Sequence, residues 1–216
     1  MNGSNNQTIQ SERVNEVFAY FETLFGSDPV TELKYENDLQ CIIAIILSAQ
    51  CTDARVNMVT PKLFARFKTL EDFAGADIKE LEKLIYSTGF YRNKAANIKA
   101  MAQMVLTRNG GQIPTSLDEL VLMPGVGRKT ASVFLAEFHK IPAIGVDTHV
   151  MRVARRFGFT TSKNPAIVER DLAKIFAREN WKRYHQYMVL FGRYYCKARG
   201  PICNEIGVPV KHECEA

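Results

Sequence analysis

The chain has 216 residues, 46% of them hydrophobic, enough for one generous domain or two small ones sharing a core and too many for a disordered chain. Its longest apolar run, Cys41 to Leu47, falls far short of the roughly 20 residues that span a bilayer, and five cysteines, an odd number, argue against a disulfide scaffold and for a reducing compartment. The net charge of +5 is unevenly spread: from Asp147 onward 13 Lys and Arg face 7 Asp and Glu, a net of +6, which fits either a polyanionic partner or a merely solvated basic face.

The periodicity is helical nearly throughout. Met1 to Gln10 is polar, lacks the apolar stretch of a secretory leader and reads as a loose tail. Val14, Val17, Phe18, Phe21 and Leu24-Phe25 then form a helical stripe that stops before Gly26 and Pro29. Leu39 to Leu47 is apolar on all sides, which predicts a helix buried at the centre of the fold. Asp53 is a candidate cap for the next helix, whose apolar face carries Val56, Val59, Leu63, Phe64 and Phe67 with an interruption at Pro61. Helices follow at 78–88 and 94–108, the second closed by Asn109-Gly110-Gly111. Ser116 with Glu119 reads as a capping box opening a short helix to Leu122. The remaining helices fall at 128–138, 148–157, 165–179 and 181–195, and the stretch 197–216 reads as loop. Short connections between many medium helices predict an all-α fold.

Between two of these helices lies Leu122-Met123-Pro124-Gly125-Val126-Gly127-Arg128-Lys129-Thr130-Ala131. Its glycines permit positive φ and close approach, and amides at the start of the following helix favour an anion such as a DNA phosphate. Taken alone, this is equally a tight helix–helix turn. The stretch resembles the helix-hairpin-helix of the endonuclease III group of DNA glycosylases, with Met123 where leucine is usual. Further blocks carry the same resemblance in order and spacing from about Thr31 to Cys203: Ser48-Ala49-Gln50-Cys51-Thr52-Asp53; Gly89-Phe90-Tyr91 with Asn93-Lys94-Ala95 and Asn97-Ile98; Gly145-Val146-Asp147-Thr148-His149-Val150; and Gly192-Arg193-Tyr194.

The resemblance implies that Lys129 is a nucleophile and Asp147 its acidic partner. Base release builds positive charge on the sugar, which a carboxylate stabilises, and an uncharged amine can then attack C1′ and form a Schiff base. The iminium draws electrons, so the strand breaks on its 3′ side by β-elimination. Without the resemblance, Lys129 reads as a phosphate contact and Asp147 as a plain helix cap. A stacked base cannot be attacked, so such an enzyme extrudes the nucleotide and fills the hole with side chains; the resemblance gives that part to Gln50 and Phe90. The same analogy places Gly125, Val126, Gly127, Arg128, Thr130 and His149 on DNA, and Lys197 and Arg199 read as phosphate contacts. His149 is equally a satisfied structural histidine, and Arg152, Arg155 and Arg156 read as a solvated helix face or as phosphate contacts.

The family commonly ends in four cysteines holding a 4Fe-4S cluster. Here Cys196 and Cys203 keep the expected spacing, but the third place is Ile206, the fourth is His212, and Cys214 follows two residues later. The expectation is a degenerate loop without the usual cluster, with iron or zinc on Cys196, Cys203, His212 and Cys214 as the alternatives; the lysine chemistry itself requires no cofactor.

The expected organisation is a helical domain over 31–141 carrying the hairpin, and residues 1–30 (tail and N-terminal helix) joined to a C-terminal helical domain over 142–216, with DNA in the groove between them. The expected activity is a bifunctional glycosylase and abasic-site lyase acting on oxidised pyrimidines in duplex DNA. The protein is expected to be a monomer without membrane contact, cytoplasmic and nucleoid-associated if the source is bacterial. Its rivals are a non-catalytic DNA-binding protein on the same hairpin and a glycosylase of shifted lesion specificity.

Overall fold

In the computed structural model, which describes residues 2–209, eleven α-helices and two short 3-10 turns account for the regular structure, and no strand occurs among the described residues. The helices form two units, one spanning Thr31–Ile141 and the other made of the chain up to Val30 together with the chain from Pro142 onward.

The first unit holds α2 (Asp38–Ser48), α3 (Asp53–Arg66), α4 (Leu70–Gly75), α5 (Ile78–Ile85), α6 (Tyr91–Arg108), α7 (Leu117–Leu120) and α8 (Arg128–Glu137). Its centre is α2. Leu39 and every residue from Cys41 to Leu47 are buried, as an all-round apolar helix requires, and Asn37 starts the helix by accepting the Gln40 amide. The cap of α3 is Thr52, which accepts the Arg55 amide, and not Asp53; Asp53 lies one residue inside, where a carboxylate favours the helix dipole. Nor does Pro61 interrupt α3. An interior proline costs about 3 kcal/mol, but Val56 and Leu63 are buried completely, at roughly 1.5–3 kcal/mol each, and the burial wins.

Helix α4 had no periodic stripe to announce it; Thr69 and Asp72 open it with a reciprocal capping box. Before α7, Ser116 accepts the Glu119 amide while the Glu119 carboxylate takes the Ser116 hydroxyl, and the helix stops at Leu120, two residues before its expected end. Asn109 caps α6, and Gly110 and Gly111, both at positive φ, turn the chain away.

The second unit holds α1 (Asn2–Phe25), α9 (Thr148–Arg156), α10 (Pro165–Ile175) and α11 (Trp181–Tyr194). Its core is aromatic: Phe18 stacks on Tyr184 at 3.8 Å between ring centroids, Phe21 on Phe191 at 4.3 Å, and Phe157, Phe159, Phe176 and Tyr187 complete the cluster. Helix α1 begins at Asn2, so the polar stretch expected to be a loose tail is helical in its backbone. Once Val14, Val17, Phe18 and Phe21 anchor the helix in the core, each added turn costs little, because propagation is far easier than nucleation.

Candidate functional site: glycine hairpin, exposed loop residues and a capping aspartate

The hairpin lies between α7 and α8. Gly125 has φ +78, and a Cβ there would meet Asn97 Cβ of α6 at 2.9 Å, so both its backbone and its space demand glycine. Gly127 is different: its φ is −82 and nothing lies within 4 Å of the place a Cβ would take. It caps α8 without a side-chain acceptor, leaving the first-turn amides to whatever anion approaches. Gly127 and Arg128 are exposed, Val126 is buried as the anchor of the turn, and Lys129 and Thr130, the second and third residues of α8, are half-buried. Leu122, just before the turn, is 71% exposed; no periodicity distinguished it from a core leucine.

Gln50 and Phe90 share a peculiarity. Gln50 has φ 53 and Phe90 φ 47, and with Lys140 they are the non-glycine residues of positive φ among those described. Holding an ordinary residue there costs on the order of 1 kcal/mol, and neither side chain recovers the cost by burial, since Gln50 is exposed and Phe90 is 64% exposed. Each crowns a turn: Gln50 between α2 and α3, Phe90 directly before α6. Among the residues named from sequence, these two have the backbone geometry of presented side chains.

At the base of both turns lies Lys94, buried in α6. Its Nζ donates to the carbonyls of Leu47 and Thr88, each at 2.8 Å, and desolvation lowers its pKa while Cys51 nearby opposes the shift. Sequence reading passed over this lysine as one more motif letter. Cys41 is inert, since burial pushes its thiol up to about 12 against the opposing effect of the Tyr35 hydrogen bond.

In the other unit Asp147 caps α9, its Oδ1 accepting the Val150 amide at 2.8 Å, and is half-buried. His149 packs against Gly192 so closely that a Cβ on Gly192 would meet His149 Cβ at 2.8 Å, and its Nδ1 lies 3.2 Å from Arg152 Nη2. The histidine is therefore held within the helix α9–α11 contact. The arginines of α9 are not a uniform solvated face. Arg152 donates to the carbonyls of Cys196 and Gly192, both at 2.7 Å, and Arg156 to the Lys197 carbonyl at 2.8 Å and to Cys196 Sγ at 3.2 Å. They tie α9 to the turn that ends α11 and leave Arg155 exposed, together with Lys197 and Arg199 on that turn.

Cys196 and Cys203 are fully buried in the apolar core of their unit, and Ile206 and Val208 pack against the same core. Tyr20 donates its hydroxyl to the Ile206 carbonyl. No group of three metal-binding side chains occurs among the described residues; His212 and Cys214 lie outside them. Of the four places, the described residues fill two with the buried cysteines Cys196 and Cys203 and a third with Ile206, a side chain that cannot ligate iron. No described helix is long and apolar enough to cross a membrane.

The sequence pattern described as "HhH-GPD superfamily base excision DNA repair protein" matches residues 43–178, a span that takes in the Gln50 turn, the hairpin and Asp147. The chain belongs to this superfamily. Among its superfamily relatives, endonuclease III of Bacillus subtilis is 45% identical over 175 residues, covering 81% of this chain and 80% of that protein. Endonuclease III of Rickettsia prowazekii is 42% identical over 208 residues, 96% of each. In three dimensions the chain is similar to a trapped endonuclease III–DNA covalent intermediate, with TM-score 0.87 and 41% identity over 92% of this chain and 93% of that one. The all-helical fold with a helix-hairpin-helix, expected from the motifs, is the fold of this superfamily.

Proposed function

We propose that this base-excision DNA glycosylase and abasic-site lyase removes oxidised pyrimidines from double-stranded DNA, with Lys129 as nucleophile and Asp147 as its carboxylate partner. The observation that carries the reading is the placement of Lys129: a half-buried lysine in the first turn of α8, directly behind the glycine hairpin. The similar endonuclease III captured as a covalent DNA intermediate supports a covalent mechanism, and a second, non-covalent endonuclease III–DNA complex, also 41% identical with TM-score 0.87, supports DNA as the partner.

The chemistry follows from the residue types. As the N-glycosidic bond lengthens, the departing base takes the bonding pair and leaves positive charge on the sugar, which the Asp147 carboxylate stabilises. The unprotonated Lys129 amine attacks C1′, and loss of its proton with ring opening gives the iminium. Removal of a C2′ proton then expels the 3′ phosphate and breaks the strand, and water hydrolyses the remaining Schiff base to free the lysine. Nothing in this sequence of steps calls on a metal, and the reading takes the terminal loop as a degenerate one without the usual cluster. Gly125, Gly127, Arg128 and Thr130 of the hairpin, with His149, Lys197 and Arg199, are assigned to DNA contact, and Gln50 and Phe90 to filling the vacated stack. The protein is taken to act as a monomer, in the cytoplasm and at the chromosome.

Borohydride trapping tests the assignment. Duplexes carrying an oxidised pyrimidine are expected to give a covalent protein–DNA adduct with the wild-type chain and none with Lys129→Gln. No adduct with any lesion, alongside intact duplex binding, leaves a non-catalytic DNA-binding protein; an adduct confined to other lesions shifts the specificity.

A further inference from the structure

Gln50 and Phe90 are 40 positions apart in the chain, yet one buried ammonium binds the roots of both turns. Leu47, whose carbonyl accepts Lys94 Nζ, is in the last turn of α2, three residues before Gln50; Thr88, whose carbonyl accepts the same Nζ, is two residues before Phe90. Carbonyls in the last turn of a helix have no helical partner and favour a cation. Lys94 projects from the first turn of α6, the helix that Phe90 caps without any side-chain hydrogen bond. Both turns carry the rare left-handed backbone on an ordinary, exposed residue. Such conformations persist only where the surroundings over-determine them, and Lys94 Nζ donates to a backbone carbonyl at the root of each turn.

We propose that Lys94 is a positioning residue for nucleotide extrusion: by pinning the Leu47 and Thr88 carbonyls to one buried point, it presents Gln50 and Phe90 to the duplex as a single preset pair. The proposal rests on the reading that these two side chains fill the vacated stack. A lysine side chain can occupy that interior position only because both backbone carbonyls replace water around its charge. The pin spares DNA binding the task of ordering two independent turns.

The test separates extrusion from chemistry. The rate of borohydride-trappable adduct formation is measured on an abasic site in duplex DNA and on the same site in a single strand, where nothing has to be extruded. Lys94→Met keeps the apolar stem of the side chain and removes the donors. It is expected to slow the duplex reaction roughly 10- to 100-fold, the scale of misplacing a catalytic geometry by about an ångström, and to leave the single-strand rate near wild type. The ratio of the two rates is independent of how much of the variant is folded, and Lys94→Gln, which retains a donor, supplies the same ratio with a milder lesion. Placed on Gln50→Ala/Phe90→Ala, Lys94→Met is expected to add little, because the pinned side chains are already gone. Equal losses on both substrates, or full additivity with the double variant, overturn the proposal and make Lys94 an ordinary structural residue. Absence of any adduct with the wild-type chain overturns the glycosylase–lyase reading instead.

Discussion

Asp147 is a helix cap in the structure and a catalytic carboxylate in the proposed function, and a pair of substitutions separates the two. As a cap it accepts the Val150 amide through Oδ1, a task asparagine performs as well; as a catalytic group it must carry charge. Asp147→Asn is therefore expected to keep stability within about 0.5 kcal/mol of wild type in urea denaturation while lowering single-turnover base release roughly 100-fold. Asp147→Ala is expected to lose the activity and about 1 kcal/mol of stability besides. An Asp147→Asn chain with the wild-type rate reduces the aspartate to its cap. The same separation of roles cannot be made at Gln50 or Phe90, whose exposed side chains do nothing visible for the fold.

At the scale of elements, the hairpin contains two glycines that look interchangeable in the sequence and are not. Gly125 needs positive φ and is pressed against Asn97, whereas Gly127 has ordinary backbone and open space. Gly125→Ala is expected to cost about 1–3 kcal/mol, since both strain and overlap must be absorbed, and to weaken binding to a duplex containing an abasic analogue. Gly127→Ala is expected to leave thermal stability close to wild type. Equal melting temperatures for the two variants would contradict the geometry. The contact joins Asn97 of one motif to the hairpin of another: α6 is the surface against which the turn packs.

For the molecule as a whole, charge is the relevant quantity. The excess of basic residues beyond Asp147 is partly consumed inside the unit, where Arg152 and Arg156 hold backbone carbonyls, so it overstates what is available to phosphates. Lys197 and Arg199 remain exposed. Binding to an abasic-analogue duplex is expected to fall linearly in log affinity against log salt, and the double variant Lys197→Ala/Arg199→Ala to flatten that slope by about 2, at roughly 0.9 per lost phosphate contact. An unchanged slope removes both residues from the interface.

What could be read without coordinates was whatever near neighbours encode. The all-apolar α2, the capped starts of α7 and α9, the glycine hairpin and the blocks that mark the superfamily are each contained within a dozen residues, the range over which periodicity, caps and turns act. Local rules also misjudged some ends: Thr52 displaced Asp53 as a cap, and α3 passed through Pro61 because burial outweighed the proline. Tertiary structure alone decided the rest. Lys94 reaches a carbonyl 47 positions away, and Arg152 and Arg156 reach backbone 40 to 44 positions away. Cys196 and Cys203, which keep the spacing of a cluster loop in the sequence, are buried with Ile206 against an aromatic core. A charged or thiol side chain looks the same in a string of letters whether it faces water, a phosphate or a carbonyl, because its energy is set by the partners that folding brings to it.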